Sequence, residues 1–190
     1  MFVNVPNLIT MSRIILIPLI IGLYYMPDEW LALEYRNVAA TAVFVLAALT
    51  DWLDGYMARR LNQMSAFGAF LDPVADKLIV VGALVVLLYL NRVDMLVALI
   101  IIGREIAVSA LREWMAKLGQ AKSVAVAFIG KLKTVSQMVA IPMLLYHDRL
   151  LDLVDCQWLG TLLINIAAVL TVISMLYYLR KALPHASIRS

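Results

Sequence analysis

The sequence predicts an all-α integral membrane protein: six transmembrane helices in one domain over residues 1–190, with both termini in the cytoplasm. Three observations carry that expectation. The chain is 64% hydrophobic with a mean hydropathy of +0.90, against roughly 45–50% apolar residues in soluble domains. The apolar residues fall into six runs, each near the about 20 residues needed to cross about 30 Å of hydrocarbon. The basic residues gather at alternate ends of those runs.

The first run, about 8–26, carries Arg13 inside it and has no small-residue cleavage site after it, so it reads as a retained span rather than a signal peptide. The next two, about 37–60 and 70–90, flank an acid-rich connector. Runs at about 94–116, 129–146 and 158–181 complete the set. Backbone groups in lipid must bond within their own segment, which makes these helices; a barrel would need alternating strands of about ten residues. Connectors are short and no internal repeat is present. The single cysteine, Cys156, excludes an internal disulfide and a multi-cysteine metal site.

Charge sets the orientation. The side holding both termini carries Arg59, Arg60, Lys117, Lys122, Lys131, Lys133, Arg180, Lys181 and Arg189. The other side carries Arg36, Arg92 and Arg149, with seven acids between Asp28 and Asp155. The positive-inside rule counts Lys and Arg, and puts the first side in the cytoplasm. The net charge of +3 is thereby assigned to cytoplasmic ends and anionic lipid headgroups, not to nucleic acid.

The other six acids, Asp51, Asp54, Asp72, Asp76, Glu105 and Glu113, fall in or at the ends of spans on the cytoplasmic half. Such residues are costly in a membrane and usually face a polar cavity. Asp51 and Asp54 are spaced i, i+3, and Asp72 and Asp76 i, i+4, so each pair shares a helix face. Four converging carboxylates need cations. Mg2+ and Mn2+ take oxygen ligands, and Mg2+ is commonly shared between carboxylates and substrate phosphates. Two such ions about 3.5–4 Å apart would form a clamp for displacement at phosphorus. Gly55, Ala58 and Gly68 leave room for a ligand, Arg59 is placed to meet a phosphate oxygen, and Pro73 is expected to bend the start of the third span.

The stretch reads D-x-x-D-G-x-x-A-R, then eight residues, then G-x-x-x-D-x-x-x-D. With Asp51, Asp54, Gly55, Ala58, Arg59, Gly68, Asp72 and Asp76 at every fixed position, it resembles the signature of the CDP-alcohol phosphotransferases, membrane enzymes of phospholipid synthesis. The resemblance implies that family's six-helix fold, often a homodimer, with an active site open to the cytoplasm; for a bacterial chain the location would be the inner membrane. It implies Asp51, Asp54 and Asp72 as metal ligands and Asp76 as ligand and general base, with two Mg2+ or Mn2+ ions. Gly55, Arg59, Ser65 and Gly68 would lie against the CDP moiety of CDP-diacylglycerol. From the opening stretch, Asn7, Thr10 and Arg13 would line the same nucleotide cavity, with headgroup snorkelling the alternative for Arg13.

The signature leaves the acceptor alcohol open. Segments 103–119 and 130–140 bring Arg104, Arg112, Lys131 and Lys133 to the same membrane side. Arg104 and Arg112 lie eight apart, near two helical turns. Together they predict a cationic pocket for an acceptor that carries its own phosphate. Positive-inside anchoring is the alternative for the lysines. Glu105 is expected to point about 100° away from Arg104 around the helix. These segments resemble the bacterial branch of the family whose acceptor is glycerol-3-phosphate. Inositol-phosphate transfer and cardiolipin synthesis are the rivals within the family. A divalent-cation transporter is the rival outside it, but the second and third spans carry few polar residues towards the far side.

Overall fold

In the computed structural model, residues 5–61, 66–119 and 128–186 are described, with side chains at 10–51, 68, 70–119 and 128–183. Six long helices account for most of them: α1 Val5–Tyr25, α2 Leu33–Leu61, α3 Ala66–Tyr89, α4 Met95–Lys117, α5 Phe128–Tyr146 and α6 Cys156–Ala186. Each falls on one of the six apolar runs. Among the described residues, three segments are long and apolar enough on their own to cross a bilayer, Leu33–Asp51, Phe128–Tyr146 and Cys156–Leu183, and Thr10–Tyr25 is a shorter apolar stretch. The protein is therefore a helical membrane protein.

Local chemistry ends the helices where the chain must turn. Asn91 closes α3 with φ 54°; its N–H donates to the Leu88 carbonyl at 3.0 Å and that of Arg92 to Leu87 at 2.8 Å, a Schellman ending. Asp94 caps α4 by accepting from the Leu96 N–H at 2.8 Å. Gly119, at φ 74°, follows α4. The connector before α6 holds a feature that periodicity did not show, a two-stranded hairpin of β1 Arg149–Leu150 and β2 Val154–Asp155. Leu150 pairs with Val154, which leaves a three-residue loop; Leu151 and Asp152 take left-handed φ of 53° and 56°, and the Leu153 N–H donates to the Leu150 carbonyl at 3.2 Å to close the turn.

Helix α3 continues through Pro73, so the proline, which lacks the N–H for a bond to the carbonyl four residues back, does not end the helix. Asp72 and Asp76 thus both project from helical backbone.

Helix α1 packs on α2 and α3, α5 on α6 and α2, and α4 on α6. The core between them holds Phe44, Leu84, Leu87, Ile101, Ile141 and Leu144. Close approach depends on small residues, as expected where helices associate by packing rather than by the hydrophobic effect. A Cβ on Gly82 would lie 2.8 Å from Ile17 Cγ2, and one on Gly160 2.9 Å from Leu144 Cγ. Large apolar side chains such as Ile15, Leu46, Leu99 and Val169 are exposed on the outside of the bundle, as a lipid-facing surface needs.

At the end away from the aspartates, a polar knot ties three helices, α1, α2 and α5, to the α3–α4 connector. Arg92 donates to the carbonyls of Leu145 at 2.8 Å and Leu144 at 3.2 Å, and to Asn37 Oδ1 at 3.0 Å. Tyr24 Oη donates to the same Asn37 oxygen at 3.2 Å. Beside it, Arg36 Nε donates to the Leu31 carbonyl at 2.7 Å and pairs with Asp28.

Candidate active site

Two acids on one face of α3 and one on α2 meet because α1 lies against both helices. Carboxylate oxygens of Asp51, Asp72 and Asp76 all lie within 4.8 Å of one another. Two unit charges at that separation repel by about 3.5 kcal/mol at an effective dielectric of about 20, so the cluster needs positive charge. One source is Arg13, at 1% exposure. Its Nη1 lies 2.9 Å from Asp51 Oδ1 and pairs with Asp76 Oδ1, and its Nη2 lies 3.3 Å from Asp72 Oδ1. The sequence offered Arg13 either the nucleotide cavity or the headgroups; its guanidinium sits among the acids.

Within this contact one guanidinium meets three carboxylates, a formal excess of two negative charges. The acids remain 40–43% exposed while Arg13 is closed off, so they have an open face. Hard oxygen donors, excess negative charge and that open face fit a divalent cation. The side chain of Asp54, the fourth acid of the motif, lies outside the described residues, as do those of Gly55, Arg59 and Asn7; Ser65 lies outside them altogether.

Asp51 and Asp76 line a cavity of about 280 Å3, near the lower end of the usual range for small-molecule sites. Arg13 and Lys77 also line it. So do the apolar Ala47, Ile79, Val80 and Met138, and the polar Arg112, Lys133, Glu105 and Gln137 from α4 and α5. Lys133 is 2% exposed and pairs with Glu105. Arg104 Nη1 lies 3.6 Å from the same Glu105 oxygen, so this long side chain overcomes the angular offset expected between adjacent positions. Arg104 also donates to Ser174 Oγ at 3.3 Å, and Arg112 to Tyr178 Oη at 3.2 Å. The Tyr178 ring centre lies 5.8 Å from the Arg104 guanidinium carbon and 5.3 Å from that of Arg112, within cation–π range. Tyr178, fully buried, thus holds both arginines of the i, i+8 pair from α6.

Of the four predicted phosphate-binding residues, Arg112 and Lys133 line the cavity. Arg104 stands behind it, bonded to Ser174 and Glu105, and Lys131 is exposed at the start of α5. Thr10 is buried and Gly68 half-buried. Sequence reading gave no site role to Glu105, Gln137 or Tyr178. Glu105 was visible as an acid inside a span, but its partner Lys133 belongs to another helix. Gln137 was visible as a lone amide in an apolar segment, and Tyr178 gave no signal.

A family model described as CDP-alcohol phosphatidyltransferase matches residues 3–174, and the chain belongs to that family. Over 181 residues, covering 94% of each chain, it is 48% identical to the CDP-diacylglycerol–glycerol-3-phosphate 3-phosphatidyltransferases of Shigella flexneri serotype 5b (strain 8401) and of Escherichia coli (strain K12).

Proposed function

We propose that this member of the CDP-alcohol phosphatidyltransferase family transfers the phosphatidyl group of CDP-diacylglycerol to glycerol-3-phosphate, giving phosphatidylglycerophosphate and CMP. The relatives carry that activity in their names. The observation that carries it for this chain is that one cavity is lined both by Asp51 and Asp76, from α2 and α3, and by Arg112 and Lys133, from α4 and α5. That arrangement suits an acceptor with a nucleophilic hydroxyl at one end and a phosphate at the other.

In this reading Arg112 and Lys133 take the acceptor phosphate, Arg104 braces them through the shared partners Glu105 and Tyr178, and Lys131 adds positive potential at the approach. Asp76 takes the proton of the primary hydroxyl on its carboxylate. The hydroxyl oxygen bonds to the phosphorus attached to diacylglycerol, the bond from that phosphorus to the CMP oxygen breaks, and CMP leaves. Asp51, Asp54, Asp72 and Asp76 would hold divalent cations, two Mg2+ or Mn2+ in our reading, which when bound supply charge neutralisation for the pyrophosphate. Arg13 keeps the three acids convergent. Asn7, Thr10, Gly55, Arg59, Ser65 and Gly68 would border the CDP moiety.

The same reading puts all six helices across the bacterial inner membrane as a homodimer. The site and both termini would face the cytoplasm, on the strength of the Lys and Arg distribution.

Purified protein given CDP-diacylglycerol and each candidate acceptor in turn tests the proposal. CMP release is expected with glycerol-3-phosphate and to stop on chelation of divalent cations. Preference for inositol phosphate or phosphatidylglycerol would assign the chain to another branch. Ion flux in liposomes without CMP release would make it a transporter.

A further inference from the structure

Gln137 is 3% exposed, lines the cavity, and its Oε1 has no hydrogen-bond partner among the described residues. Buried polar atoms are overwhelmingly satisfied, so an unmet acceptor facing a cavity calls for a reason. Gln137 follows Lys133 by four residues on α5, which places it on the same helix face one turn further along. The other neutral polar residue that lines the cavity is already engaged: Thr134 Oγ1 donates to the Gly130 carbonyl at 2.9 Å.

The acceptor offers three groups for recognition. Its phosphate falls to Arg112 and Lys133, and its primary hydroxyl to Asp76. The secondary hydroxyl remains, on the carbon between them. We propose that Gln137 is a specificity-determining residue whose Oε1 accepts a hydrogen bond from the secondary hydroxyl of the acceptor, selecting a polyol phosphate and turning its primary hydroxyl towards Asp76. The proposal rests on the functional reading above. It extends that reading because it distinguishes a glycerol phosphate from a simple hydroxyalkyl phosphate of the same length and charge. Sites built around a substrate hydroxyl discriminate against analogues that lack it, because the protein group is then left buried and unpaired.

The test compares kcat/KM for glycerol-3-phosphate with that for 3-hydroxypropyl phosphate, which keeps the phosphate and primary hydroxyl and lacks the secondary one. The wild-type protein is expected to prefer glycerol-3-phosphate by about tenfold or more. Gln137→Met, similar in size but without an acceptor oxygen, is expected to bring the ratio near one by losing rate only with glycerol-3-phosphate. Its KM for CDP-diacylglycerol should not change. Gln137→Glu, which keeps an acceptor oxygen, retains the preference. If Gln137→Met does not fold, Gln137→Leu takes its place, and the wild-type ratio is itself decisive. Equal use of the two acceptors by the wild-type protein, or an equal loss on both in the variant, overturns the proposal. No turnover of glycerol-3-phosphate by the wild-type protein overturns the functional reading itself, a result distinct from either.

Discussion

Arg13 and Arg92 sit at opposite ends of one bundle and keep opposite company. Arg92 spends its two terminal nitrogens on neutral acceptors, two backbone carbonyls and the Asn37 amide oxygen, at 2.8–3.2 Å. The two carbonyls are consecutive on α5 and the amide belongs to α2, and among the described residues no carboxylate pairs with Arg92. Arg13 meets three carboxylates and is outnumbered. A cation met by neutral oxygens closes a structural joint, since every group has what it needs. Anions in excess over their cation, held half-open beside a cavity, mark a place where charge is still to arrive. Burial and hydrogen bonding do not separate the two ends; the charge balance does.

The largest expected effect falls on the outnumbered end. Asp76→Asn keeps the shape and removes the proton acceptor, so turnover should drop by about 10²–10⁴-fold while some CDP-diacylglycerol binding remains. Wild-type turnover in this variant would remove Asp76 from the chemistry and leave the acid cluster without its assigned role. Next come the cations that line the cavity. Arg112→Ala deletes a charged contact of a kind that contributes about 1.5–3 kcal/mol, so the KM for glycerol-3-phosphate should rise at least tenfold. The KM for CDP-diacylglycerol should stay within about twofold. A matching rise for both substrates would mean that Arg112 serves the packing around Tyr178 rather than the acceptor.

How much of this could be read from residues alone depends on how far apart the partners lie in the chain. The helices were legible because an apolar run of about 20 residues has one stable form in lipid. The aspartates were legible because i, i+3 and i, i+4 spacings fix a face within a helix. Contacts across helices were not. Nothing in the spacing of Glu105 shows that Lys133, from another helix, pairs with it, and nothing near Tyr178 shows that two arginines from α4 meet on its ring. Arg13 shows the same limit: its helix was clear, but its position among three acids depends on α1 packing against both α2 and α3. The hairpin at 149–155 escaped because its turn uses Leu151 and Asp152 in a left-handed conformation that glycine or asparagine usually marks.

At the neutral end the expectation reverses, with stability affected and chemistry spared. Arg92→Met retains an apolar stem and removes the donors to Asn37, Leu144 and Leu145. Losing hydrogen bonds to a charged group costs about 1.5–3 kcal/mol, to be read as a lower unfolding temperature in detergent. Turnover per folded molecule should be unchanged. Were turnover to fall as far as in Asp76→Asn, the two ends would be coupled and the contrast between them would fail.

The smallest effect belongs to His147, in the connector next to Arg92. Burial holds its imidazole below the usual range, and the charge of Arg92 adds to that; Asp148 and Asp155 pull weakly the other way. Its buried Nδ1 has no partner among the described residues, so protonation in place would gain no hydrogen bond there. A group with a depressed folded value holds fewer protons folded than unfolded. Its contribution is therefore fully present above the unfolded value of about 6.5 and is lost as pH falls through the lower folded one. Unfolding temperature should decline from about pH 7 to pH 5, and His147→Asn should flatten part of that decline. Asparagine suits the test because position 147 has φ 64°, a conformation it tolerates better than most residues. Since Arg92 supplies part of the depression, the slope should also shrink in Arg92→Met. An undiminished slope in both variants would place the pH sensitivity elsewhere and leave the knot a purely packed joint.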